Sequence, residues 1–109
     1  MANSENEPEL ILEHSIIDEY GNRVSQVIWR VPKSEDKPHG YKYSLAYIVD
    51  NERVIGYDNA EGKDDHRHYA GKVQPYEFKG IRLLTIDFMN DIYSYWEKHG
   101  EEENTKDRG

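Results

Sequence analysis

The residues whose types could do chemistry are concentrated in one polar stretch, GYDNAEGKDDHRHYAG, at positions 56–71. Cleavage of RNA without a metal ion needs a base for the 2′-hydroxyl, an acid for the leaving oxygen and a cation for the phosphorane. Imidazole, ammonium, guanidinium and phenol groups can fill those roles at neutral pH. The stretch therefore supplies a candidate site with the members Tyr57, Asp58, Asn59, Lys63, Asp64, Asp65, His66, Arg67, His68 and Tyr69.

What this stretch can do depends on its backbone. If residues 66–69 are extended, His66 and His68 project to one face and Arg67 to the other, whereas a turn would let all three converge. The two imidazoles could also share a metal ion, with Asp58, Asp64 or Asp65 completing the shell.

A plain connecting segment explains the same residues without any site. Gly62 and Gly71 would make turns, and Asn59 would end a strand by bonding to nearby backbone. Residue types alone favour this interpretation, because clusters of titratable groups mark function only in some proteins. His14 and His39 have no spaced partner and are assigned structural roles.

Alternating apolar residues predict the strands that must position the stretch. The clearest run is 41–50, where Tyr41, Tyr43 and Tyr47 would form the packed face of a sheet rather than a base-stacking surface. Residues 10–17 and 23–32 predict a hairpin, Asn51 and Glu52 a tight turn, and 53–59 a fourth strand. Gly56 inside that strand indicates a bulge or a close backbone approach. Residues 72–78 predict a short extended segment that is either an edge strand or a connection, because Pro75 cannot donate a ladder hydrogen bond.

From residue 81 the apolar period changes to that of a helix. Its stripe is predicted to include Leu84, Phe88 and Ile92, widened by Leu83, Met89 and Trp96, and Gly100 is the expected stop. Trp29 and Trp96 are expected in the core. The predicted fold class is α+β: a mainly antiparallel sheet of four to five strands with one C-terminal amphipathic helix packed on one face.

Length and composition predict one α+β domain at 10–99, between a mobile polar tail at 1–9 and a mobile acidic tail at 100–109. The net charge of −8 disfavours broad electrostatic binding to nucleic acid. The chain has no Cys, no apolar run long enough to span a membrane and no secretory signal. We expect a soluble cytoplasmic protein with no membrane association.

The same runs carry a resemblance to a known family. VIWRVP, YKYSLAYIV, the stretch at 56–71, PYEF and the helix containing IDFMNDI together resemble the TumE-type toxin family, the toxin half of prokaryotic toxin–antitoxin pairs. The similarity spans roughly residues 10–97, and its most specific part is YDN at 57–59 followed by KDDHRHY at 63–69. Many members have a linker richer in His and Pro after YDN. The linker here is acidic and contains Lys, which weighs against a His-rich metal site.

The resemblance implies growth inhibition, with RNA cleavage as the chemistry and a small DNA-binding antitoxin as the partner. We expect a ribonuclease with no metal and no cofactor, and leave open whether it is a homodimer. The expected catalytic residues are His66 and His68 as acid and base, with Arg67 and Lys63 neutralising phosphate. Tyr57, Asp58, Asn59 and Asp65 are the expected substrate-binding residues. The alternative is a non-enzymatic module that binds protein or nucleic acid.

Overall fold

The computed structural model describes residues 7–60 and 62–108, of which 99–108 by backbone alone. The chain divides into two compact units, Met1–Phe78 and Lys79–Gly109. The first holds a six-stranded antiparallel sheet with the strands in chain order. Its strands are β1 (Glu9–Ile17), β2 (Arg23–Arg30), β3 (Tyr41–Val49), β4 (Glu52–Asp58), β5 (His66–Tyr69) and β6 (Lys72–Pro75). The second holds one helix, α1 (Ile81–Arg108).

The predicted α+β class is confirmed, with six strands rather than four to five. The extra strand comes from the polar stretch itself, because residues 66–69 form β5 between β4 and β6. β6 lies at the edge of the sheet, as Pro75 predicts. Of the predicted N-terminal tail, residues 1–6 lie outside the described residues and Glu9 begins β1.

Alternation along the strands separates the sheet into two faces. The buried face includes the predicted tyrosine stripe, since Tyr43 and Tyr47 are 3% and 0% exposed. Burying an apolar side chain of this size contributes about 1.5–3 kcal/mol, so this face supplies most of the hydrophobic stabilisation of the unit. Its buried members are Val24, Ile28, Tyr43, Leu45, Tyr47, Ile55 and Tyr57.

The opposite face, called the open face below, carries polar and half-buried side chains. Residues that pair across it include Ser44 with Asp58, and Asp58 with His66. Trp29 pairs with Lys42 on this face and is half-buried, so its expected place in the core is wrong.

The turn between β3 and β4 lies one residue earlier than predicted. Asp50 and Asn51 have φ values of 52° and 64°, so they are the two central residues, and Glu52 is already in β4. Two consecutive residues at positive φ are typical of the type I′ turn, whose twist matches that of antiparallel strands. Asp and Asn tolerate this conformation better than other non-glycine residues.

Helix α1 continues past Gly100 to Arg108, so the predicted stop at Gly100 is wrong. Leu84, Phe88 and Ile92 are buried, as their spacing of four predicts. The stripe is narrower than expected, because Leu83 and Met89 are exposed. No helix among the described residues is long and apolar enough to cross a membrane.

A partly buried hydrogen-bond network closes the turn between β1 and β2. The Tyr47 hydroxyl donates to Asp18 Oδ2 over 2.5 Å, and the backbone N–H groups of Tyr20 and Asn22 donate to Asp18 Oδ1 over 2.9 Å each. Burial by itself would raise the pKa of Asp18, but these three hydrogen bonds outweigh it and lower the pKa below its usual value. The network therefore stabilises the ionised form of the Asp18 carboxylate.

We predict that Asp18→Asn destabilises the protein by about 1–3 kcal/mol at pH 7, because Asn cannot accept all three hydrogen bonds as a carboxylate does. The pKa of Asp18 is lower in the folded protein than in the unfolded chain. The contribution of Asp18 is therefore fully present above the unfolded value and is lost as pH falls through the folded value. Urea unfolding at pH 7 and at pH values below 4 should show the difference between wild type and variant shrinking with acid. Glu19→Gln, at the exposed neighbouring acid, is the control, and an equal loss in both variants would contradict the assignment.

Candidate active site

Three side chains of the polar stretch converge on the open face. In the antiparallel pairing of β4 with β5, Asp58 lies opposite His66 and Gly56 lies opposite His68. Since residues two apart point to the same side of a strand, one carboxylate faces two imidazoles. The extended alternative for residues 66–69 is therefore confirmed.

The distances within this group are those of hydrogen bonds or close ion pairs. Asp58 Oδ1 lies 3.2 Å from His66 Nε2, and Asp58 Oδ2 lies 3.4 Å from His68 Nε2. The three side chains are 17%, 21% and 22% exposed, in the order Asp58, His66, His68. The group is thus partly shielded from water yet reachable from solution.

Arg53 is the fourth member of what we call the Asp58 cluster: Arg53, Asp58, His66 and His68. Its Nη1 lies 3.1 Å from Asp58 Oδ2. Strict alternation back from Asp58 would place Arg53 on the buried face. A bulge prevents this, because Tyr47 pairs with Ile55 while Ile48 pairs with Arg53, which leaves one extra residue in β4. The bulge reverses the alternation and brings Arg53 to the open face.

Gly56 makes room for the arginine. A Cβ at this position would lie 3.0 Å from Arg53 Nε and 3.1 Å from Arg53 Cδ. The side chain of Arg53 therefore crosses the strand directly over the glycine before it reaches Asp58. Gly56 itself is regularly paired with Ala46 and His68, and the bulge lies between Arg53 and Ile55. The close approach at Gly56 is made by the Arg53 side chain rather than by backbone.

The imidazoles are in different surroundings. Burial and the nearby Arg53 guanidinium lower the pKa of His68, although Asp58 acts in the opposite direction. The lowered pKa favours the neutral imidazole of His68. His66 Nδ1 lies 2.5 Å from the carbonyl oxygen of Asp64, and its Nε2 faces Asp58. An imidazolium at His66 would thus donate a hydrogen bond from each nitrogen.

Arg67 and Tyr57 lie on the buried face, away from the imidazoles. Arg67 Nε donates to the Tyr57 hydroxyl over 3.1 Å, and the guanidinium carbon lies 4.9 Å from the Tyr69 ring centroid. Tyr57 is 2% exposed. The structure does not bring either residue to the Asp58 cluster. The cation beside the imidazoles, a role expected of Arg67, is Arg53.

Asn59 is wholly buried and bonds to the neighbouring strand. Its Oδ1 accepts from the Tyr43 backbone N–H over 2.9 Å, and its Nδ2 donates to the Tyr41 carbonyl over 2.8 Å. The side chain extends the ladder between β3 and β4 beyond the end of β4. This is the strand-ending role weighed for it in the sequence.

Asp65 belongs to a second group, separate from the Asp58 cluster. Its Oδ2 accepts from the Tyr43 hydroxyl over 2.6 Å and lies 2.9 Å from His39 Nε2. Burial and the hydrogen bond to Asp65 raise the pKa of Tyr43, so the phenol keeps its proton. Phe78 packs on His39 at a centroid distance of 4.2 Å.

Lys63 is exposed in the turn that precedes β5, and another lysine holds that turn. Lys37 is 4% exposed, and its Nζ donates to the carbonyl oxygens of Ala60 and Lys63 over 3.2 and 3.5 Å. Its charge is balanced by Asp36 at 3.0 Å. Lys37 stands in a polar Pro-Gly segment, where nothing in the residue pattern distinguishes it from solvated neighbours.

A groove of about 350 Å³ adjoins the Asp58 cluster on the open face. Trp29 forms an aromatic wall and Lys42 a cationic one, while Asp58 lies at the end nearest the imidazoles. The groove is lined by Val27, Trp29, Lys42, Tyr43, Ser44, Asp58 and Ala60. Trp29 and Lys42 are directly opposite each other in the pairing of β2 with β3. Predicting this register from the sequence would have placed both residues on one face.

A family model described as "Toxin TumE" matches residues 5–95 of the chain, which is most of its length. This range includes the whole sheet and every member of the Asp58 cluster. Neither the curated proteins nor the solved structures contain a significant match.

We predict that Arg53→Gln raises the pKa of His68 toward its ordinary range, because one of the causes that depress it is removed. An NMR titration of the imidazole ring protons measures this directly. Lys63→Gln removes the same charge from the exposed turn and should leave the His68 titration unchanged. Equal shifts in the two variants would show that net charge, rather than the Arg53 contact, controls His68.

Proposed function

The chain belongs to the TumE toxin family, which implies an antitoxin partner, and we propose that it inhibits growth by cleaving RNA at the Asp58 cluster. The observation that carries this proposal is the pair of imidazoles on one carboxylate, with a guanidinium 3.1 Å from the same carboxylate. An acid, a base and a cation are the three groups that metal-independent cleavage of RNA needs.

His68 suits the role of base, since its lowered pKa favours the neutral imidazole and the side chain is partly exposed. It takes the proton of a 2′-hydroxyl, and the 2′-oxygen attacks the adjacent phosphorus. His66 suits the role of acid, because its imidazolium would be held between Asp64 and Asp58. It gives its proton to the 5′-oxygen as the phosphorus–oxygen bond breaks. The products are a 2′,3′-cyclic phosphate and a free 5′-hydroxyl.

In this scheme Asp58 positions the two imidazoles, and Arg53 stabilises the negative charge of the phosphorane. Asp58 orients both rings, as carboxylates do for catalytic imidazoles on other folds. Arg53 can offer a second guanidinium edge to the phosphorane oxygens while it remains near Asp58. A positioned cation next to developing negative charge in a partly dry site is a large contribution to catalysis.

The groove beside the cluster supports RNA as the substrate class. A base could stack on Trp29, since every base has a face that an indole can cover, and Lys42 could contact a phosphate. The net charge of −8 disfavours binding along a whole duplex. A short single-stranded segment fits both the charge and the size of the groove.

The antitoxin is proposed to be a small DNA-binding protein that covers the open face. Measurements of growth and of RNA cleavage distinguish a toxin that cleaves RNA from a binding module without enzymatic activity. A module would co-purify with its partner and leave RNA intact.

We predict that His66→Gln and His68→Gln each lower the rate of RNA cleavage by about 10²–10⁴, because each removes a proton-transfer group. Cleavage of a short oligonucleotide by purified protein, without antitoxin and with a chelator present, is the measurement. Growth after expression without antitoxin should recover in parallel. His14→Gln, at an exposed imidazole on β1, is the matched control.

Growth arrest that persists in both folded variants would remove the assigned roles. Intact RNA with wild-type protein, together with a stoichiometric partner, would favour the binding module instead. Cleavage that stops on adding chelator would replace the proposed chemistry with a metal-dependent one.

We also predict that Arg53→Gln lowers the rate of RNA cleavage, because it removes the cation proposed to stabilise the phosphorane. Gly56→Ala should lower it by a similar factor, although it changes no charged group. The new methyl group would displace Arg53, whose Nε lies 3.0 Å from its position. Stability should change little, because the displaced atoms are the end of a flexible side chain. Thermal unfolding and cleavage measured on the same samples check this, and full activity in Gly56→Ala would show that the position of Arg53 is unimportant.

A further inference from the structure

The geometry of the Asp58 cluster points to a second property: Asp58, His66 and His68 can bind one divalent first-row transition metal ion, and we infer that such an ion switches the site off. The binding is independent of the proposed function. The switching rests on it, because the ion would occupy the atoms that move protons.

The first observation is the spacing of the ligand atoms. One ligand atom from each of the three residues can be chosen so that all lie within 4.8 Å of one another. Each imidazole faces a different oxygen of Asp58, with His66 Nε2 3.2 Å from Oδ1 and His68 Nε2 3.4 Å from Oδ2. A tetrahedral ion with bonds of about 2.0–2.1 Å separates its ligand atoms by roughly 3.3 Å. The three ligand atoms would have to close from within 4.8 Å to this separation, a movement that side-chain rotation can supply.

The second observation is the chemical type and support of the ligands. Two imidazoles and one carboxylate select Zn²⁺, Ni²⁺, Co²⁺ or Cu²⁺ over Mg²⁺ and Ca²⁺, which prefer oxygen alone. His66 is already oriented by the Asp64 carbonyl on its other nitrogen, the arrangement that metal-binding imidazoles commonly have. All three residues stand on paired strands rather than on loops.

The third observation limits the affinity. Arg53 lies 3.1 Å from Asp58 Oδ2, so a bound dication would have a guanidinium close to its own ligand. This repulsion distinguishes the site from one built for a resident metal. We therefore expect binding that is reversible and weaker than in permanent zinc sites.

Occupancy would stop proton transfer. A metal ion on His68 takes the lone pair that would accept the 2′-hydroxyl proton, and on His66 it replaces the proton that the leaving oxygen needs. Asp58 would turn from orienting the rings to neutralising the ion. The same atoms cannot serve both purposes, so metal binding and cleavage should exclude each other.

Titration calorimetry of the full chain with ZnCl₂ tests the binding, with MgCl₂ as the comparison. We expect one Zn²⁺ per chain and no heat specific to Mg²⁺. His66→Gln and His68→Gln should each weaken Zn²⁺ binding by roughly tenfold or more, whereas His14→Gln should not change it. Because the chain has no Cys, thiolates cannot contribute a competing site.

Arg53→Gln supplies the sharper test, because it should tighten Zn²⁺ binding by roughly tenfold as the repulsion is removed. A misfolded variant cannot produce a tighter site, so this result is informative even if the histidine variants are unstable. Unchanged affinity in the double variant His66→Gln/His68→Gln, or equal binding of Mg²⁺ and Zn²⁺, would overturn the site.

Cleavage of RNA measured against Zn²⁺ concentration tests the switch. We expect inhibition with a midpoint equal to the dissociation constant from calorimetry. Stimulation by Zn²⁺ would overturn the switch and establish the ion as a cofactor. If metal-free wild type cleaves no RNA, the proposed function and the switch fall together, while the calorimetric titration still decides the metal site.

Discussion

The pairing of β4 with β5 is the constraint on which the site depends, because alternation makes a shift of one residue exchange the two faces. In the register observed, Asp58, His66 and His68 share the open face, and Tyr57, Arg67 and Tyr69 share the buried one. The connection between these strands, residues 59–65, is too long to set the register as a two-residue turn does. Other interactions must hold it.

Buried and half-buried polar groups in and beside that connection do so. Asn59 continues β4 along β3, Lys37 binds two carbonyls of the turn, and Asp65 bonds to Tyr43 and His39. Each of these groups would be costly to bury without partners, so each strongly favours the one loop path that satisfies it. The residues that resembled a catalytic set along the chain thus divide into two kinds. Some form the Asp58 cluster, and others hold its strands in place.

Much of this could be predicted from the sequence, and the omissions have physical causes. Alternation was sufficient for β1 to β4 and for the stripe of Tyr43 and Tyr47. For His66 and His68 it left an extended segment and a turn both open, because β5 is too short and too polar to show a period. It failed at Arg53, because a bulge reverses the alternation and no residue pattern marks which strand gains the extra residue. Lys37 was missed, and the partner of His39 was not predicted, because local spacing does not reveal contacts between residues far apart along the chain. The end of α1 was misplaced because a glycine at position 100 does not stop this helix.

The meander topology has a consequence for the order in which the protein is made. Each strand pairs with the one synthesised just before it, so the sheet can grow as the chain leaves the ribosome, without waiting for distant segments. Arg53 and Asp58 can join the sheet while β5 is still being translated. A nascent chain that ends before residue 66 carries the carboxylate and the guanidinium but neither imidazole. In this order of assembly, the groups that the proposed chemistry requires for proton transfer are among the last to enter the sheet.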